Sequence, residues 1–107
     1  MASELTLPFI KREIAAQTYE ITLHADDERL ADGITMEQLE NALGTCTILE
    51  NYPDDPRGPS CLVLGYISGT AGPVHVVCGR NRAEHLTIIT VYIPGMPKWK
   101  DHKTRNR

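Results

Sequence analysis

Long apolar runs are missing from this chain. No stretch of about 18 apolar residues occurs, so nothing is expected to cross a membrane as a helix. Met1 to Ala16 interrupts every candidate apolar stretch with charge, so no signal peptide is expected either. Aromatics are scarce at 6%, with one Phe and one Trp, which leaves few rings to stack on nucleobases. Cysteine is scarce as well. Cys46, Cys61 and Cys78 are an odd number at wide spacing, a poor disulfide framework, and read as reduced thiols packed like small hydrophobes. That usage fits a cytoplasmic protein. A structural zinc site needs two short-spaced ligand pairs. His75 and Cys78 form one such pair and a second is lacking, so neither a metal nor a cofactor is expected.

What is present is ordinary globular material. The 107 residues are one domain's worth, and 41% hydrophobic with 23% charged side chains excludes wholesale disorder, collagen and coiled coil. The formal net charge of −3 is unevenly spread. Residues 98–107 carry five basic side chains against Asp101, a net of +4; the other 97 hold six basic and 13 acidic side chains, a net of −7. The expectation is a single domain over 1–97 and a basic tail over 98–107. Lys98, Lys100, Lys103 and Arg105 are candidate RNA contacts, because such side chains release counterions from a phosphate backbone. The plain alternatives are a solvated terminus or a clasp onto the acidic body.

Apolar spacing predicts a short amphipathic helix within Leu5 to Tyr19, with Pro8 in its first turn. Tyr19 to Leu23 alternates and reads as a short extended segment. His24 to Ala31 suits a second helix, with acids near its start and Gly33 placed to end it. Thr35 and Gln38 spell a capping box for a third, whose stripe is Met36, Leu39, Ala42 and Leu43. Four β-rich runs follow: Cys46 to Tyr52, Cys61 to Ile67, Val74 to Cys78 and Leu86 to Ile93. The connections are short and rich in turn residues, including Pro53 to Pro59 and Ser68 to Gly72. The expected fold is α+β, with N-terminal helices on one face of a four-stranded antiparallel sheet in sequential order. Met36, Leu39 and Leu43 should bury against it.

Several residues have side chains suited to chemistry. Histidine as a residue type can give or take a proton, which makes His24 a candidate, and Arg29 suits bidentate phosphate binding; a helix-entry histidine and a surface arginine are the plainer readings. His75 interrupts an apolar strand and needs either a partner or a wet face. Alternation puts it with Val77, opposite Val74, Val76 and Cys78. Thr90 and Tyr92 share a face, away from Ile89, Val91 and Ile93, and sequential pairing brings them towards His75. The Asn51 to Arg57 loop reads equally as a partner site or a stiff hairpin.

These residues carry a resemblance. Ile21-Thr22-Leu23-His24-Ala25, Arg29, Gly33-Ile34-Thr35, Tyr52-Pro53-Asp54-Asp55, Cys61-Leu62-Val63-Leu64-Gly65, Val74-His75-Val76-Val77 and Ile88-Ile89-Thr90-Val91-Tyr92 occur in an order and spacing that resembles the domain-of-unknown-function family 4258, over about residues 7–93. The family pattern has an arginine just before the Gly-Ile, where this chain has Asp32. The resemblance implies a RelE-like fold (the barnase–EndoU–colicin–RelE group) and a small ribonuclease toxin held by an antitoxin protein. It implies metal-independent RNA cleavage, with His24 and His75 as acid and base, Arg29 as phosphate clamp, and Tyr92 and Thr90 beside them. The five should then converge on one solvent-accessible patch. The alternative is a non-catalytic interaction module that keeps the fold without the chemistry.

Overall fold

Each of the three helices starts at a threonine whose hydroxyl accepts an otherwise unpaired amide of the first turn. The computed structural model describes residues 5–67 and 72–94. Thr6 caps α1 (Leu7–Ala16), its Oγ1 accepting from the Phe9 amide at 3.3 Å. Thr22 caps α2 (Leu23–Ala31), accepting from the Ala25 amide at 3.0 Å. Thr35 caps α3 (Met36–Gly44), where both halves of the Thr35–Gln38 box form. α1 stops short of the expected Tyr19 because Gln17 turns into the left-handed region at φ 57°. α2 begins one residue before His24 because Thr22 takes the cap, and Gly33 (φ 71°) lies just past its end.

The strands are β1 (Glu20–Ile21), β2 (Thr47–Tyr52), β3 (Ser60–Ile67), β4 (Gly72–Arg80) and β5 (Leu86–Tyr92). β2 to β5 form the expected antiparallel meander. The sheet is nevertheless five-stranded and mixed, in the order β1-β5-β4-β3-β2, which corrects the four-stranded antiparallel expectation. β1 runs parallel to β5, with Glu20 opposite Thr87 and Ile21 opposite Ile88. A parallel partner needs a long crossover, and the whole intervening chain supplies one. The edge of β5 is then closed step by step. The Thr22 amide donates to the Ile88 carbonyl at 3.0 Å. The Thr22 hydroxyl donates to the Ile89 carbonyl at 3.0 Å, and the Val91 amide donates to Glu28 Oε1 at 2.9 Å.

The core lies between the helices and one face of the sheet. Phe9, Ile10, Ile14, Leu39 and Leu43 pack with Cys61, Val63, Val76, Cys78, Ile88 and Val91, all buried. Each large aliphatic side chain so buried contributes about 1.5–3 kcal/mol of transfer free energy. Met36 is only partly buried, unlike Leu39 and Leu43. At Gly65 the α3 backbone comes so close that a Cβ would stand 2.7 Å from the Ala42 carbonyl oxygen.

The other face is organised by register. Leu64, His75 and Tyr92 lie in one cross-strand row, Leu62, Val77 and Thr90 in the next, and Ser60, Gly79 and Thr87 in a third. A bulge on β5 corrects the simple alternation expected there: Thr90 pairs with Val77 but Cys78 pairs with Ile88, leaving Ile89 as the extra residue. Ile89 therefore leaves the apolar face, and its Cδ1 lies 2.8 Å from where a Cβ on Gly79 would stand. Ile88 takes the core position instead.

The boundary at 97/98, the tail residues Lys98, Lys100, Lys103 and Arg105, and most of the Ser68 to Gly72 connection lie outside the described residues. Among the described residues no helix is long and apolar enough to cross a membrane.

Candidate functional site

Register brings His75 and Tyr92 directly opposite each other on β4 and β5. The phenol oxygen lies 3.1 Å from His75 Nδ1, with the rings edge-on at 5.2 Å between centroids and 67° between planes. One proton is shared across that contact, donated by the phenol or by Nδ1 according to the tautomer. Thr90 sits one row along on the same face. His75 is fully buried, at 0% exposure.

His24 reaches the same strand by another route. It lies in the first turn of α2, largely exposed, and its Nε2 is 3.2 Å from Glu28 Oε1 one helical turn on. That carboxylate oxygen also accepts from the Val91 amide, next to Tyr92. Glu28 thus fastens α2 and its histidine to the end of β5 that carries the His75–Tyr92 pair. In the sequence Glu28 is one of the acids near the helix start. Its spacing of four from His24 was the signal for this further role.

Arg29 points elsewhere, since successive helical residues diverge by about 100°. Its Nε donates to Asp26 Oδ1 at 2.7 Å and its Nη1 to the Ile34 carbonyl at 3.1 Å, so it braces the end of α2. It lines a cleft with Gln17, Tyr19, Thr22, Met36 and Glu40. There the Tyr19 hydroxyl donates to Glu40 at 2.5 Å, and burial together with that carboxylate pushes the phenol far above its ordinary value. The expectation of one solvent-accessible patch is corrected accordingly. His75, Thr90 and Tyr92 share a face and His24 is tied to the same strand, whereas His75 is buried and Arg29 lies in a separate cleft.

A second titratable cluster has no counterpart in the sequence reading. The buried Glu13 carboxylate accepts from the Leu86 amide at 3.0 Å and stands 2.9 Å from His85 Nδ1. Burial opposes its ionisation, but the bonds from Leu86, His85 and Thr18 prevail and hold the carboxyl below its ordinary range. Their partners are more than 70 residues apart, so no local spacing announces them.

The three thiols gather in the core. The bond to Cys61 and then burial hold Cys78 well above its ordinary value, and burial pushes Cys46 up to about 11. Those two are therefore protonated near neutrality and unsuited to act as nucleophiles, whereas the bond from Cys78 lowers Cys61. Cys78 and His75 project to opposite faces of β4, so they do not chelate together. Among the described residues no group of three or more His, Cys, Asp or Glu is arranged to hold a metal ion.

A family model described as a domain of unknown function, DUF4258, matches residues 21–93. The match begins at β1 and ends just past β5, and it includes His24, Arg29, His75, Thr90 and Tyr92. No curated protein and no solved structure matches the chain.

Proposed function

We propose, for a chain that belongs to the DUF4258 family of domains of unknown function, a RelE-like ribonuclease of toxin type that cleaves RNA without a metal ion. The observation that carries the reading is the His75–Tyr92 contact, with His24 held on the same strand by Glu28. Metal-free cleavage needs a base for the 2′-hydroxyl, an acid for the leaving 5′-oxygen and a cation for the phosphorane charge. In this reading His24, exposed and oriented by Glu28, exchanges a proton with the substrate. Tyr92, backed by His75, supplies or receives the other. Thr90 lies beside them, and Arg29, bonded to Asp26 and the Ile34 carbonyl, sets the position of α2. Lys98, Lys100, Lys103 and Arg105 add sequence-independent contacts to the RNA backbone. The protein acts in the cytoplasm, needs no cofactor, and is held by a small antitoxin protein.

A second reading has its own support. His75 is buried and Arg29 is engaged by Asp26, an arrangement that suits a non-catalytic interaction module. Incubation with structured and single-stranded RNA in the presence of chelator separates the two, with His24→Ala and Tyr92→Phe as comparison proteins. The ribonuclease reading expects cleavage that survives the chelator and falls at least a hundredfold in both variants, as loss of a general acid or base does. Intact RNA with the wild type favours the module instead, and equal cleavage by the variants overturns the roles given to His24 and Tyr92.

A further inference from the structure

The face of the sheet away from the helices is dry where an open face would be wet. Leu62 and Leu64 on β3 and His75 on β4 project there, opposite Cys61, Val63 and Val76 in the core. They are 2%, 3% and 0% exposed. Neighbours within a sheet shield the flanks of a side chain and leave its tip open. Among the described residues the helix packed on β3 is α3, and it lies on the core side, against Gly65. The loop after β2 stands at the far end of the face, beside Ser60 and Gly79. Another part of the chain therefore closes the row of Leu64 and His75. Tyr66, next along β3 on the same face, is 48% exposed and marks where that cover stops. Glu50, Tyr66, His75 and Tyr92, all on this face, each take part in a further interaction beyond those named above.

Connectivity selects the occupant. Residues 1–4 lead into Leu5, which is buried in the core on the helix side. Residues 68–71 join the ends of β3 and β4 and are too few to return as far as Leu62. Residues 95–107 follow β5, whose Tyr92 stands opposite His75. Extended, those 13 residues reach about 43 Å, whereas β5 and β2 are about 14 Å apart across the sheet. Their chemistry matches the face. They hold Met96 and Trp99, the one Trp of the chain, with Lys98, Lys100, Lys103, Arg105 and Arg107 around them. The β2 side of the face offers Glu50, opposite Leu62, and Asp54 on the following loop. We propose that the segment 95–107 docks across this face of its own domain, with the Trp99 ring over Leu64 and His75 and its basic side chains meeting Glu50 and Asp54. The ring supplies most of the hold, since surface ion pairs contribute little.

Docking in this way withholds the His75–Tyr92 pair from solution and accounts for a buried imidazole on a face with no helix. The docking itself does not depend on the ribonuclease reading, but its consequence for access does rest on that reading. The same basic side chains then serve the β2 edge and the RNA backbone in turn. RNA that takes them draws the segment away and uncovers Tyr92.

A single Trp lets fluorescence report on the segment in the full chain. Blue-shifted Trp99 emission protected from acrylamide is expected, with nuclear Overhauser contacts from the indole to the Leu64 methyls and the His75 ring. Leu64→Lys sets a charge beneath the ring and should raise quenching severalfold, with far-ultraviolet circular dichroism unchanged. Should that variant fail to fold, the wild-type indole contacts decide the matter. Fully solvated Trp99 emission, or indole contacts that miss Leu64 and His75, overturns the proposal. So do contacts seen only between differently labelled chains, which would place the segment on a second copy. RNA with methylated 2′-hydroxyls, which cannot be cleaved by 2′-attack, tests the consequence for access. Quenching of Trp99 should rise as this RNA binds. Binding with unchanged quenching refutes the shared use of the basic side chains and leaves the docking standing. No binding counts against the ribonuclease reading, while the indole contacts still decide the docking.

Discussion

Glu13 shows how one side chain ties distant parts together. Its carboxylate is buried, accepts from Leu86 and His85, and is held below its ordinary value of 4.5. The stabilisation this gives is complete above that value and is lost as pH falls through the lower, folded-state value. Replacing it by Gln keeps the shape and the Leu86 acceptor but loses the charge-assisted bonds, at a cost of about 1.5–3 kcal/mol near neutrality. Denaturation midpoints measured from pH 7 downwards should show the gap between wild type and Glu13→Gln narrowing below pH 4.5. A gap that stays constant with pH would mean the carboxylate acts by packing alone. The Glu28 link to His24 was within reach of the sequence because both lie on one helical turn. The Glu13 link to His85 was not, since only the folded chain makes them neighbours.

At the scale of elements, the parts legible in the sequence are those whose causes are local. The Thr35–Gln38 box is contained in four consecutive residues and forms as written. The meander is legible because turn-rich loops separate adjacent strands. Ile89 was misplaced because strict alternation carries no sign of a bulge, and a bulge is a property of the strand pair. β1 was legible as extended chain but not as a strand, because its partner is β5 at the far end of the domain. Gly65 is a packing requirement of the same non-local sort. Ala at this position would press against the Ala42 backbone, which cannot swing aside, and should destabilise by about 1–3 kcal/mol, as overpacking does. Thermal or urea unfolding of Gly65→Ala checks this, and stability equal to wild type would show that α3 can shift outwards.

Over the whole molecule, the closure of β5 by β1 and α2 divides the domain by how its contacts are earned. The meander pairs neighbours in sequence, so its loops close cheaply. By contrast Thr22 and Ile89 are 67 residues apart, and Glu28 and Val91 are 63 apart. Closing those spans costs more chain entropy for fewer bonds, so they are expected to form late in folding. The same asymmetry governs opening. Because α2 buries only Ala25 fully, β1 and α2 are expected to detach as a unit while β3 and β4 stay paired. Native-state hydrogen exchange should register this as two tiers. The Val63 and Val76 amides should exchange only through global unfolding, and those of Thr22, Asp26 and Val91 through a lower-energy opening with a smaller denaturant dependence. Since His24 lies on α2, any partner that favours the opened form would withdraw that histidine from the edge of β5 while β2 to β5 stay paired.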